Sequence, residues 1–150
     1  MASTTNSLVF VFGTLKEGFP NFSRNSGVRV PGTYATALAF PFHLVGERFS
    51  PWMMDSPGLG HHVRGQLFDI DAAGLGEMDL LERVGEPDGY VRRRISIQRV
   101  DDLAACEVEA FVYLKPPQLL EPSEVRLGPL QEYTEAHSTL YRSRSGAQKS

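Results

Sequence analysis

The stretch "LVFVFGTLKEG", Leu8 to Gly18, drives five consecutive apolar residues straight into a glycine, a threonine and then charge. A strand written this way has no polar face, so it needs cover on both sides. It stops at glycine, the residue that lets another backbone or a ligand come close. The stop therefore bears on function as much as on fold.

The rest of the chain keeps mostly to the rhythm of strands. Leu8 to Phe12 reads as a buried run, and Thr33–Phe40, Phe42–Val45, Val63–Ile70, Tyr90–Val100 and Glu107–Leu114 are β-rich, separated by glycine, proline or acidic clusters. In "YVRRRISIQRV", Val91, Ile95 and Ile97 share one parity and Arg92, Arg94, Ser96 and Gln98 the other, which describes a strand with one wet face. A turn at Asp101-Asp102 should fold it back onto "EVEAFVYL" as a hairpin. The one helix is "DAAGLGEMDLLERVG", with Asp71 as its cap and Gly85 as its stop. Two internal glycines weaken it.

Length and composition set the bounds. A chain of 150 residues with 41% hydrophobic content can bury one core, so a single domain over 1–150 is expected, ending in a polar tail from about Ser143, "SRSGAQKS". Fifteen basic against 18 acidic residues give a net charge of -3, which argues against nucleic acid or an anionic membrane as partner. The basic triplet Arg92 to Arg94 stands alone and reads as a solvated strand face. Met1 to Leu8 is polar, and the apolar run after it is too short for a signal peptide or a membrane span. The single cysteine, Cys106, cannot form an intrachain disulfide and reads as a small apolar filler at a strand start. A soluble, cytoplasmic protein is expected.

Helical spacing singles out one carboxylate. At roughly 100° per residue, Leu75, Met78 and Leu81 fan over one arc, and Glu82 falls between Leu75 and its centre. Leu80 lands opposite, so the helix is expected to be covered on both faces. A core-facing carboxylate must be paired, hydrogen-bonded or protonated, and burial without a cation raises its pKa toward the range useful for proton transfer. The residues alone leave three readings of Glu82 open: a structural ion pair with Arg92, Arg93 or Arg94, a glutamate that reaches out to water, or an acid/base group. Metal chemistry has less to work with. His61 and His62 would point to opposite faces of a strand, His43 and His137 have no ligand spacing, and HExxH and CxxC are absent. No metal or cofactor is expected, and no glycine motif completes a nucleotide-binding pattern.

"VFVFGTLKEG" resembles the N-terminal signature of the γ-glutamylcyclotransferase-like superfamily, usually written YGTL or YGSL; Phe12, Gly13, Thr14 and Leu15 carry the match. "VGERFSPWMMDSPGLGHHVRGQLFDID" is similar to the central block of the AIG2-like γ-glutamylamine cyclotransferases, with Gly-Glu, Pro-Trp and Pro-Gly-x-Gly in order. "EMDLLERVGEPDGYVRRRISI", "AFVYL" and "EYTEAHSTLYRSR" continue it in register. The resemblance implies an α+β fold: a small mixed, largely antiparallel barrel-like sheet with one principal helix and a pocket at the C-terminal end of the first strand. It also implies a reaction without cofactor. The α-amino group of an L-γ-glutamyl unit attacks that unit's own side-chain carbonyl, giving 5-oxoproline and a free amine.

The family's catalytic glutamate falls on Glu82, as general acid/base. Phe12, Gly13, Thr14 and Leu15 are then the substrate-binding residues, with backbone N–H groups at Gly13 to Leu15 for the carbonyl oxygen. Phe12 stands where the family commonly has tyrosine, so a hydroxyl is missing while the ring still walls the pocket. Trp52 and Tyr113 are candidate lining residues, or plain core. The expected partner is a small γ-glutamyl substrate such as γ-glutamyl-ε-lysine. Two alternatives stay open: the same chemistry on a γ-glutamyl amino acid or a γ-glutamyl-protected intermediate, and a noncatalytic module that binds a small ligand.

Overall fold

The computed structural model describes residues 6–102, 104 and 106–142, so the polar tail expected from Ser143 lies outside the described residues. The chain runs β1 (Ser7–Val11), β2 (Val28–Thr36), β3 (Phe42–Val45), β4 (Ser50–Met53), β5 (Arg64–Ile70), α1 (Ala72–Leu81), β6 (Val91–Arg99), β7 (Val108–Leu114), β8 (Val125–Leu127) and α2 (Glu135–Ser138). It is an α+β fold, with a closed barrel in the order β1-β5-β2-β6-β7 and a second sheet in the order β4-β3-β8. The barrel pairs are antiparallel except where β1 meets β7 in parallel, Val9 opposite Phe111, and closes the ring. Among the described residues no helix is long and apolar enough to cross a membrane.

The two-faced burial expected of the first strand follows from its place in this barrel. Phe10 and Phe12 turn inward and pack with Phe42, Leu67 and Val112, while Val9 and Val11 turn outward against Phe68, Ile70 and Met78. Met78 belongs to α1, so the helix supplies the second cover. β6 also divides by parity: Val91, Ile95 and Ile97 join the interior, and the guanidinium groups of Arg92 and Arg94 lie 4.6 and 4.8 Å from the ring centre of Phe111. β6 and β7 form the expected hairpin.

Several boundaries differ from the sequence reading, each for a local reason. β2 begins at Val28 rather than Thr33, because the register shift between Val30 and Tyr34 absorbs Pro31, which cannot donate to a ladder. It ends at Thr36 rather than Phe40, where the Thr36 hydroxyl donates to the Leu38 carbonyl and accepts from the Val63 N–H at 3.0 Å. β4 carries a proline inside a strand, tolerated at the edge of its sheet. Cys106 is exposed and precedes β7, so it fills no core space.

The helix needs two corrections. Asp71 does cap it, accepting from the Gly74 N–H at 2.8 Å, but α1 ends at Leu81, four residues before Gly85. The stop is a Schellman motif: Val84 N–H donates to the Asp79 carbonyl at 3.0 Å and Arg83 N–H to the Leu80 carbonyl at 3.1 Å. Its left-handed residue is Arg83, with φ of 57°, so the position carries no glycine to betray it. Leu80 is 81% exposed, and α1 is covered on one face only.

Candidate active site

A cavity of about 840 Å³ opens at the C-terminal end of β1. The turn after that strand supplies one wall, the end of α1 another, β4 a third, and the end of β7 the fourth. All the residues singled out by sequence line it: Phe12, Gly13, Thr14, Leu15 and Glu82. Trp52 and Tyr113 line it as well.

The turn after β1 spends its carbonyls on the protein. Gly13 accepts from Lys16 N–H at 3.1 Å, Thr14 from Asn21 N–H at 2.8 Å, and Leu15 from the Asn25 side-chain amide at 3.1 Å. Asn21 also donates to the Thr14 hydroxyl at 2.8 Å and to the Tyr141 hydroxyl at 3.2 Å. Among the described residues, none of these hydrogen bonds takes a donor from the N–H of Gly13, Thr14 or Leu15. These three cavity-lining N–H groups therefore take no part in the turn's own hydrogen bonds. Gly13 is required for a packing reason: a Cβ there would sit 2.8 Å from Cγ of Pro51. The close approach that glycine permits is thus that of β4.

Lys16 locks the turn from behind. Its buried ammonium donates to the Tyr133 carbonyl and lies 4.3 Å from the ring centre of Phe19. Burial pushes its pKa down to about 8, against a smaller opposing pull from Glu132. Phe12 presents its ring to the edge of Phe42, with centroids 5.2 Å apart, so it serves the barrel core and the cavity wall together.

Glu82 is the residue that caps the C-terminus of α1, half-buried on the cavity wall. Its N–H donates to Met78 at 2.9 Å, and its carbonyl accepts from Tyr90 N–H at 3.0 Å, which closes the loop between them. Each of the arginines that offered a structural pairing has a contact of its own. Arg92 pairs with Asp79 at 2.7 Å, Arg93 with Asp55 at 3.1 Å, and Arg94 covers Phe111. Tyr113, 3% exposed, donates its hydroxyl to the free oxygen of Asp79 at 2.7 Å. Burial first, then Asp79, and to a lesser degree the charge of Glu82, hold that phenol far above its ordinary pKa.

Sequence reasoning missed Lys115. It follows Tyr113 by two residues, and that spacing was the available signal, since alternate residues of an extended chain share a face. Its ammonium donates to the Asp88 carbonyl at 2.8 Å and sits 4.0 and 4.4 Å from the ring centres of Tyr90 and Trp52. The Tyr90 hydroxyl in turn donates to the Pro51 carbonyl at 3.1 Å. The loop after Glu82 is thereby tied to both β4 and the end of β7. Arg24, Arg48, Arg83 and Lys115 face the cavity against only Glu82 and Asp88, an excess of positive charge in a chain whose net charge is -3.

The histidines take no part. His61 and His62 are exposed, and His62 Nδ1 lies 3.0 Å from the Thr36 carbonyl oxygen. Among the described residues no group of histidine, cysteine, aspartate and glutamate could hold a metal ion.

A family model described as "Gamma-glutamyl cyclotransferase, AIG2-like" matches residues 9–142. Gamma-glutamylaminecyclotransferase B of Danio rerio is 35% identical over 114 residues, covering 72% of this chain and 59% of the relative. Gamma-glutamylaminecyclotransferase of Rattus norvegicus is 32% identical over 114 residues, covering 70% of this chain and 75% of the relative. The crystal structure of an AIG2-like protein from Mus musculus superposes with a TM-score of 0.79 at 29% identity, covering 93% of this chain and 97% of that one.

Proposed function

The chain belongs to the AIG2-like gamma-glutamyl cyclotransferase family, and from that premise we propose that it converts an L-γ-glutamyl amine, such as γ-glutamyl-ε-lysine, to 5-oxoproline and the free amine. The observation that carries this reading is the meeting of Glu82 with the turn of Gly13, Thr14 and Leu15 on one cavity.

The substrate's α-amino nitrogen attacks its own γ-carbonyl carbon. A ring C–N bond forms, the amide C–N bond breaks, and the amine departs. Because both reacting groups belong to one molecule, the enzyme's task is to fold the γ-glutamyl unit into attack geometry and hold it there. Glu82 takes a proton from the attacking ammonium and returns one to the leaving nitrogen, so the step consumes no cofactor. Negative charge gathers on the carbonyl oxygen in between. Donors already fixed by the turn suit that oxygen, since they need no reorganisation as the charge develops. Lys16, Asn21 and Asn25 supply the fixing from behind.

The test is incubation of the purified protein with a panel of γ-glutamyl amines, following 5-oxoproline and free amine together. Both should appear in equal amounts. A folded Glu82→Gln variant should bind substrate and lose at least about 100-fold in kcat, the lower end of general acid/base contributions. Binding without release of either product by the wild type would leave a ligand-binding module in place of an enzyme.

A further inference from the structure

On the reading that this cavity cyclises γ-glutamyl amines, we infer that Arg48 selects the leaving amine, by pairing with a carboxylate carried at its far end. The four cavity cations are not equivalent. Arg83 is neutralised within its own loop by Asp88 at 2.9 Å. Lys115 is buried, tied to the Asp88 carbonyl and sandwiched by Tyr90 and Trp52. Arg24 and Arg48 remain, and among the described residues neither guanidinium takes part in an ion pair. Arg24 is exposed, where an ion pair with a ligand gains little. Arg48 is half-buried, so less water competes for it.

Position assigns Arg48 to the leaving group rather than to the γ-glutamyl unit. Trp52 touches Lys115 and, together with Arg48, lines a second cavity of about 440 Å³. Arg48 and Trp52 border both cavities, whereas Lys115, Glu82 and the turn of Gly13 to Leu15 border only the first. Its carbonyl is held by the Arg142 N–H at 3.0 Å, which fixes the backbone without engaging the guanidinium. An amine whose alkyl chain lies along Trp52 would bring a terminal carboxylate to the fork of Arg48, a geometry that guanidinium groups bind bidentately. The second cavity also carries Glu47, Glu121 and Glu124, so a leaving group with only a cationic end has a competing place to go.

Three γ-glutamyl conjugates of equal chain length separate these cases: ε-aminocaproate, with a terminal carboxylate; hexylamine, neutral; and hexanediamine, cationic. The wild type should favour the ε-aminocaproate conjugate over the hexylamine conjugate by about 10-fold to 100-fold in kcat/KM, mostly through KM. Arg48→Gln should bring that ratio close to one, and Arg48→Lys should restore part of it. A preference for the hexanediamine conjugate, a ratio near one in the wild type, or a ratio that collapses in Arg24→Gln but not in Arg48→Gln overturns the assignment. If no conjugate yields 5-oxoproline, the cyclotransferase reading fails by itself. Calorimetric binding of the same conjugates then decides the role of Arg48: tighter binding of the ε-aminocaproate conjugate that is lost in Arg48→Gln supports it, and equal binding overturns it.

Discussion

Asp79 joins two strands to the helix: one of its oxygens accepts from the Tyr113 hydroxyl at 2.7 Å and the other from Arg92 at 2.7 Å. Both donors sit on the barrel hairpin, and Asp79 lies three residues before Glu82. Replacing Asp79 with alanine would leave a buried phenol and a half-buried guanidinium without their acceptor. We expect a loss of about 1–3 kcal/mol in urea unfolding, the cost of an unsatisfied buried donor. Tyr113→Phe removes donor and demand together and should cost less. Equal losses in the two variants would contradict this.

Gly13 faces Pro51 so closely that the packing itself can be tested. Gly13→Ala places a methyl group 2.8 Å from the proline ring, which should destabilise the fold by about 1–3 kcal/mol and displace the three backbone donors. Pro51→Ala alone opens space at an edge strand. The double variant should recover most of the loss, giving a favourable coupling in a double-mutant cycle. Additive losses would place the cause of the glycine elsewhere.

Lys115 ties the loop after Glu82 to the end of β7, and this predicts a local effect on motion. Lys115→Met keeps the stem that packs on Trp52 and Tyr90 but loses the bond to the Asp88 carbonyl. Hydrogen exchange at the Tyr90 and Gly89 amides should quicken, while exchange in β1 and β5 should not. Uniform quickening would mean a global rather than a local role.

What could be read from sequence follows from how local each signal is. β1 was legible because a run with no polar face needs two covers, and the barrel interior and α1 are those covers. The placement of Glu82 on the helix wheel came close, since α1 ends one residue earlier and leaves its side chain on the cavity. The end of α1 was misread because a Schellman motif with arginine at the left-handed position looks unremarkable beside Gly85. Lys115 carried only its two-residue spacing from Tyr113 as a signal, and Arg48 carried none. Their meaning comes from Trp52 and Asp88, which lie far from Lys115 in sequence, and from two cavities that meet at Arg48. Gly13 was legible as a close approach, but periodicity cannot tell a ligand from a proline ring.

Lys16 gives a pH dependence of definite sign. Its folded pKa of about 8 lies below the ordinary 10.5, so between these values the unfolded chain binds a proton that the folded chain has released. Stability therefore rises with pH through this window. The full gain is about 3 kcal/mol, from the shift multiplied by the free energy of one pKa unit. Below about pH 8 both states are protonated and the folded state carries the cost of the buried charge, partly offset by the Tyr133 carbonyl and the Phe19 ring. Lys16→Met cannot titrate here. The stability of the wild type relative to this variant should therefore climb as the pH is raised from about 7.5 to 10, and be flat below it. Because other groups that titrate in this range are common to both proteins, urea unfolding of the pair isolates the lysine. A difference that stays constant across the window would show that Lys16 keeps an ordinary pKa, and that the turn bearing Gly13 to Leu15 is not held by a buried, weakened base.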